Sequence, residues 1–464
     1  MSGSAPHASP ARDGLPQVVH CVGIRGGGLS ALARLLVERG HTVTGSDRMG
    51  GNAALAALGI AVSEGHAERL PRGTQLVVRS AAVPETAPEV LAARAADLPV
   101  LKYAEALGRL SRAKLAVGVA GTHGKTTTTA ALAHVLERSG ASPSWIIGGQ
   151  PLDASPARWG NGPHLALEAC EYDRSFLELD CRVALITSVA ADHLDCFGDA
   201  AGVHAAFASF AARLSSPARL VLGPDVPLDL NWPLAPGVAL LRTDELVRVL
   251  RCEEGPDGYE LELELDERVR GSLQLALLGR HQIDLLRAAL AAGLALGQPA
   301  ERLLEAARGF RGVARRLQDL GEHALAGGRV RLIDDFAHHP DALRAAAAAL
   351  RGRFPERRLV AVFQPHQVSR TADFLPDFAE SLRAFDRVAL CDIFVARDAH
   401  PERAESLLAA LSEQLGERVH RVGPARSADA AVRDLLRPDD VCVVMGAGDV
   451  DSLAGRLGAG AAGA

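Results

Sequence analysis

The run Ala120-Gly121-Thr122-His123-Gly124-Lys125-Thr126-Thr127 constrains this chain more than any other feature. It follows an apolar segment, Leu115–Ala120, that reads as a buried strand, and it opens a helical pattern reaching about Arg138. Glycine lets backbone N–H groups approach an anion, and the first turn of a helix adds partial positive charge. Lys125 is then placed to reach β- and γ-phosphates, and the Thr126 hydroxyl to ligate Mg²⁺. The general G-x-x-x-x-G-K-[ST] pattern is not strictly met, because Val119 occupies its first glycine position. An ordinary turn ahead of a helix is the competing reading. The lysine argues against it: of 50 Lys and Arg residues, only Lys102, Lys114 and Lys125 are lysine.

Strand–turn–helix alternation recurs on both sides of this loop and predicts parallel, doubly wound sheets. Upstream, Gln17–Val22 reads as a strand, Gly23-Ile-Arg-Gly-Gly-Gly28 as a glycine turn, and Leu29–Arg39 as a helix. Short strands at Thr42–Gly45 and Gln75–Ser80 and a helix over 103–111 complete that block. Downstream, strands are expected at Leu165–Ala169 and Val183–Ser188, with helices near 281–296 and 299–308. Tyr259–Leu265 alternates apolar and acidic residues and Gly271–Leu278 answers it, which predicts an antiparallel addition at the sheet edge. From Leu317, strands at Val330–Asp334, Leu359–Phe363, Arg387–Cys391 and Val441–Met445 alternate with helices from Asp341, over 372–384 and over 402–415. The expected fold is α/β with three consecutive domains. After a disordered tail (1–15) come a Rossmann-like N-terminal domain (16–112), a central P-loop ATPase-like domain (113–316) and a Rossmann-like C-terminal domain (317–464).

Composition narrows the function. With 464 residues, 48% hydrophobic and 23% charged, the chain can bury substantial cores. No apolar run approaches membrane-spanning length, and Met1–Leu15 has no hydrophobic segment, so neither a span nor a signal peptide is expected. Seven scattered cysteines without a C-x-x-C pair point to reduced thiols in a cytoplasm. A net charge of −6 offers no field for nucleic acid.

The loop Gly121-Thr-His-Gly-Lys-Thr126 resembles the ATP loop of the Mur ligases, the cytoplasmic ATP-dependent amide ligases of peptidoglycan precursor synthesis. Further segments follow in that family's order between about residues 17 and 457. They are Glu168-Ala-Cys-Glu-Tyr-Asp-Arg-Ser-Phe-Leu177, Asp192-His193-Leu194-Asp195, Arg315-Arg316 and Asp334-Asp335-Phe-Ala-His-His-Pro340. Phe363-Gln-Pro-His366 with Ser369-Arg370-Thr371, and Gly446-Ala-Gly-Asp449, complete the series. The resemblance implies joining of L-alanine to the lactyl carboxylate of UDP-N-acetylmuramate through an acyl phosphate, with ATP and Mg²⁺ (or Mn²⁺). Acceptance of another amino acid or a peptide is the nearest alternative, and a silent nucleotide-binding paralogue the next.

Roles follow from the resemblance. Lys125, Glu168 and His193 would be catalytic, with Thr126, Glu168 and His193 at the metal. Gly121, Thr122, His123, Gly124, Lys125, Thr126, Thr127, Gln282, Arg316 and Asp335 would bind the nucleotide. Gly23, Gly26, Gly27, Gly28, Ser46 and Asp47 would hold the UDP-sugar, whose diphosphate suits the glycine turn; hydride transfer with a dinucleotide is the competing use of such a turn. His338, His366 and Arg370 fall on the substrate side, with a helix start ahead of Pro340 as the other role for the His338-His339 pair. This chain departs from the family pattern at Arg25, Ser188, Ala190, Gln282, Leu285 and Gln367, the last standing where the family has an arginine for the incoming amino acid.

Overall fold

Leucine- and valine-rich runs bounded by glycine turns become the middle strands of three mainly parallel sheets. The computed structural model describes residues 15–65, 67–227, 230–325, 327–395, 398 and 400–459, so the expected tail lies outside it except for Leu15. The first sheet contains β1 (Val18–Val22), β2 (Thr42–Asp47), β3 (Ala61–Glu64), β4 (Leu76–Arg79) and β5 (Val100–Lys102). Its order is β3-β2-β1-β4-β5 and every pair is parallel. The helix Gly27–Glu38 buries Leu29, Leu32, Ala33 and Leu36, spaced three and four apart, which is why it lies on the sheet. Strand order reverses at β1, and in such sheets ligands bind beyond the strand C-termini at the reversal.

The second sheet is built from β6 (Leu115–Ala120), β7 (Ser144–Ile146), β8 (Ala157–Arg158), β9 (His164–Glu168), β10 (Val183–Ser188), β11 (Arg219–Asp225) and β12 (Ala239–Arg242). In the order β12-β11-β10-β6-β9-β7-β8, β6 lies between β9 and β10, and only β7–β8 is antiparallel. The helix Lys125–Arg138 returns from β6 with Thr126–Thr129 all buried. Threonine is a modest helix former, so packing rather than propensity holds this helix.

Strands β13 (Val247–Gly255), β14 (Gly258–Leu265) and β15 (Val269–Leu275) form a sheet of their own, order β13-β14-β15. This corrects the expected edge addition: β12 takes the outer place on the larger sheet. The last sheet contains β16 (Gln318–Leu325), β17 (Gly328–Asp335), β18 (Leu359–Phe363), β19 (Arg387–Cys391), β20 (Val419–Gly423) and β21 (Val441–Met445). Its order is β16-β17-β21-β18-β19-β20, parallel except for the β16–β17 hairpin. The helix expected over 372–384 is two helices, Val368–Asp373 and Leu375–Leu382, because Pro376 cannot continue the first and starts the second.

The chain divides into two compact units. The described residues of one are 15–251, 262–273 and 284–310, and the other comprises 252–261, 274–283 and 311–459. All seven cysteines are free thiols. Among the described residues, no helix is long and apolar enough to cross a membrane.

Candidate active site

The phosphate loop leaves the C-terminal end of β6 and is held from below by hydroxyls. Gly121 (φ 141°) and Gly124 (φ 82°) take conformations that L side chains rarely adopt. A Cβ at Gly121 would strike Thr187 Oγ1, and one at Gly124 would strike Leu285, so both positions are closed to larger residues. Thr187 Oγ1 donates to the His123 carbonyl at 2.5 Å, and Ser188 Oγ accepts from His123 N at 3.0 Å. Thr122 Oγ1 donates to the Ala190 carbonyl (3.1 Å) and accepts from Ala190 N (2.9 Å). Ser188 and Ala190, two departures from the family pattern, therefore still support the loop, Ala190 through its backbone alone.

Lys125 begins the helix and turns its ammonium back over the loop. Nζ donates to the Gly121 carbonyl at 2.5 Å, to the Thr122 carbonyl at 3.3 Å and to Glu171 Oε1 at 2.9 Å. Burial alone would lower its pKa; Glu171, together with Cys170 and Glu168, outweighs that and holds the ammonium above the usual lysine range. Thr126 Oγ1 donates to Glu168 Oε2 at 3.3 Å, and Glu168 Oε1 accepts from Gly148 N at 2.6 Å. Glu168 is the last residue of β9, beside β6, and Ser188 ends β10 on the other side. His193 Nε2 lies 3.9 Å from Glu171 and from Asp192. Lys125, Thr126, Glu168 and His193 thus gather beyond the ends of three adjacent strands. Glu171 joins them unforeseen: it stands within the quoted acidic segment, and its side chain is 3% exposed. Carboxylate oxygens, a hydroxyl and one imidazole form a donor set that suits Mg²⁺ or Mn²⁺, and Glu171 Oε2, 2.9 Å from the Lys125 ammonium, is buried without a hydrogen bond among the described residues.

The first glycine turn sits at the end of β1. Gly23 (φ 78°) packs against Val83 and Ser80, and a Cβ at Gly28 would meet Tyr103 at 2.9 Å. The helix Gly27–Glu38 has no side-chain cap, and its start at Gly26-Gly27 is exposed, a terminus of the kind that can take an anion. Asp47 accepts from Arg25 N at 3.1 Å and Met49 N at 3.2 Å, shaping the turn. Ser46 differs from expectation: its hydroxyl is fully buried and donates to Glu89 at 2.7 Å, within a network that includes His20.

The remaining sites belong to the second unit, at the ends of the adjacent strands β17, β21 and β18. Asp335 accepts from Leu317 N at 2.5 Å and Ala337 N at 2.6 Å, so it fixes the backbone leaving Arg315-Arg316. Burial raises its carboxyl pKa against the pull of Arg316. Both arginines lie over the Phe336 ring, at 5.2 and 4.8 Å, and Arg315 Nη2 donates to the Gly446 carbonyl at 2.7 Å. Gln282 gives its amide N–H groups to the Leu278 and Arg316 carbonyls and keeps a buried Oε1 without a hydrogen bond among the described residues. Its free amide face therefore offers an acceptor and no donor. Gln364 bonds Asp449 at 2.6 Å and so ties the β18 motif to the β21 motif.

His339 takes the helix-start role: its Nδ1 accepts from Asp341 N at 3.3 Å. His338 bonds the Phe336 carbonyl, and its ring meets His366 edge-on at 5.9 Å. Burial and nearby Arg370 push the His366 pKa down to about 4. His366 stacks on Phe394, and Arg370 lies buried in the short helix Val368–Asp373. Gln367 caps that helix with φ 70°, its N–H on the Phe394 carbonyl. Arg397, another candidate cation for the amino acid, lies outside the described residues.

The sequence matches the Mur ligase family catalytic domain over residues 18–115, the Mur ligase middle domain over 119–293 and the Mur ligase glutamate ligase domain over 315–448. A UDP-N-acetylmuramate–L-alanine ligase of Laribacter hongkongensis is 39% identical over 453 residues, 95% of this chain and 97% of the relative. One from Stenotrophomonas maltophilia is 38% identical over 450 residues, 95% of this chain and 94% of the relative. The crystal structure of UDP-N-acetylmuramate–alanine ligase from Thermotoga maritima is similar, with a TM-score of 0.76, 26% identity and coverage of 95% of this chain and 97% of that one. A murein peptide ligase of Psychrobacter arcticus, 21% identical, shares the fold with a TM-score of 0.73, covering 95% of this chain and 98% of that one. Domain matches in this succession, with 38–39% identity along nearly the whole length, establish that the chain belongs to the ATP-using Mur ligase family, with its N-terminal, middle and C-terminal domains.

Proposed function

We propose that this ligase joins L-alanine to the lactyl carboxylate of UDP-N-acetylmuramate in peptidoglycan precursor synthesis, in the cytoplasm. Near-full-length similarity to relatives named for that activity supports the substrates. The reading is carried by one grouping: Lys125, Thr126 and Glu168 hydrogen-bonded around a glycine loop, with His193 beside them. An unactivated carboxylate resists attack by an amine in water. Transfer of the ATP γ-phosphoryl group to it gives an acyl phosphate, which the amine of alanine attacks, leaving an amide, ADP and phosphate. Little covalent work falls to the protein; positioning and charge neutralisation dominate.

Each residue has a part in that scheme. Backbone N–H groups of Gly121–Gly124 cradle phosphate oxygens, and Lys125 meets the β- and γ-phosphates. Thr126, Glu168 and His193 would hold Mg²⁺, which when bound supplies neutralisation of the crowded phosphate charge. The first glycine turn takes the UDP diphosphate. Gln282 Oε1 and the Arg316 guanidinium serve the nucleotide, Asp335 by fixing the backbone beside them, and the neutral His366 with Arg370 and His338 serves the substrates. The domains assigned are 16–112 for the UDP-sugar, 113–316 for ATP and 317–464 for closing over the amino acid and nucleotide. The test is phosphate release with UDP-N-acetylmuramate, ATP and Mg²⁺ against a panel of amino acids. Release that requires the sugar nucleotide and prefers L-alanine is expected. Nucleotide binding without turnover for any amino acid or short peptide contradicts the reading.

A further inference from the structure

Glu171 is the carboxylate that pairs with the loop lysine. Both of its oxygens lie 2.9 Å from Lys125 Nζ, and the two side chains are 3% and 16% exposed. Oε2 is buried and accepts no hydrogen bond among the described residues, while Oε1 lies 3.9 Å from His193 Nε2. The Glu171 side chain does not cap the 3₁₀ turn Tyr172–Glu178 that it precedes, so local structure does not account for its burial. A buried carboxylate is unfavourable unless paired, and here the pair is Lys125. When phosphate oxygens take the ammonium, that pairing is shared, and Glu171 becomes a negative charge beside negative phosphates. At this burial such repulsion is weakly screened. A divalent cation beside Glu171 and His193 resolves it.

We propose that Glu171 is a positioning residue that couples nucleotide binding to the divalent cation: it aims Lys125 along the loop and opposes a metal-free triphosphate. The inference rests on the assignment of Lys125 to the phosphates, proposed above. It is tested by equilibrium titration of the full chain with a non-hydrolysable ATP analogue, in Mg²⁺ and in EDTA. The proteins compared are wild type, Glu171→Gln, Glu171→Asp and Lys125→Gln, with thermal melts to confirm folding. Glu171→Gln should bind the metal-free analogue about tenfold more tightly than wild type, the order of one charge contact partly relieved by the mobile phosphates. Its ratio of affinity in Mg²⁺ to affinity in EDTA should shrink about tenfold. Glu171→Asp, which keeps the charge, should hold the wild-type ratio within about twofold. A wild-type ratio in Glu171→Gln, or the same collapse in Glu171→Asp, overturns the inference while leaving the Lys125 assignment intact. Undiminished binding to Lys125→Gln in Mg²⁺ overturns that assignment and the inference with it. Should Glu171→Gln not fold, Glu171→Ala in the same titrations reads the same ratio.

Discussion

The two glycine turns of the first unit are built alike and end differently. Each leaves a parallel strand, β1 or β6, spans four residues (23–26 and 121–124), and delivers the chain into a helix beginning at Gly27 or at Lys125. Gly27-Gly28 thus stands where Lys125-Thr126 stands in the other. The first turn packs on carbon: Val83 under Gly23 and the Tyr103 ring where a Gly28 side chain would go. Hydroxyls and carbonyls lace the second, and a buried ion pair closes it. Backbone strain is distributed differently as well. Gly26 has φ −58°, open to any residue, whereas Gly124 has φ 82° and Leu285 against it. One backbone device is thus specialised in two ways. In the roles proposed above, N–H groups and a helix terminus hold a diphosphate at the first turn, while moving a phosphoryl group at the second demands a placed cation and a metal-binding hydroxyl in the same first turn.

Lys125→Arg should separate the turns most sharply. The charge survives, but the wider guanidinium and its planar fork do not fit a lysine-sized place under two carbonyls and Glu171. Turnover should fall at least about 10²-fold, read as initial phosphate-release rates. Near-normal rates would make the two turns functionally alike.

Gly124→Ala and Gly26→Ala compare the turns as structure. The first should destabilise by about 2 kcal/mol or more, from the left-handed conformation and the Leu285 contact. The second should shift stability by less than about 0.5 kcal/mol, since its φ is ordinary and its nearest neighbour is at 3.5 Å. Urea denaturation of both variants decides; equal losses would contradict the distinction.

A third strand end extends the comparison, because β18 leads to Gln367 and Arg370, which we propose face the carboxylate of the incoming amino acid. Arginine clamps carboxylates bidentately; an amide donates a weaker bond, by roughly 1–2 kcal/mol, or about 5- to 30-fold in affinity. Gln367→Arg should lower the KM for L-alanine within that range and leave the KM for ATP unchanged. An unchanged or higher KM for alanine would place the clamp elsewhere.

The strands that carry these turns were legible in the sequence because they are buried on both faces. Leu115–Ala120, Val183–Ser188, Leu359–Phe363, Arg387–Cys391 and Val441–Met445 are mostly apolar runs with buried centres, and they fold as strands over these residues. Edge strands were not legible. Ala61–Glu64 exposes Ala61, Ser63 and Glu64, and Val419–Gly423 exposes His420 and Arg421, so neither is a buried apolar run and both are too short to show a period. The grouping of Lys125, Thr126, Glu168 and His193 could be anticipated from motif order, whereas the inward turn of Ser46 onto Glu89 and the burial of Glu171 depend on tertiary packing. Gln282 illustrates the limit: side-chain chemistry gives an amide both a donor and an acceptor, and only the fold reveals that its donors go to the Leu278 and Arg316 carbonyls.

The division of labour between the turns is tested most directly by separate equilibrium titrations of UDP-N-acetylmuramate and a non-hydrolysable ATP analogue against Gly26→Asp and Lys125→Gln. An aspartate at position 26 caps the helix with its own carboxylate, so it should add a few tenths of a kcal/mol to stability while filling the anion place. Gly26→Asp should then weaken the sugar nucleotide at least about tenfold and leave the ATP analogue within about twofold. Lys125→Gln should do the reverse. Loss of both ligands together in a variant that melts like wild type, or the ATP analogue lost from Gly26→Asp, would contradict the account.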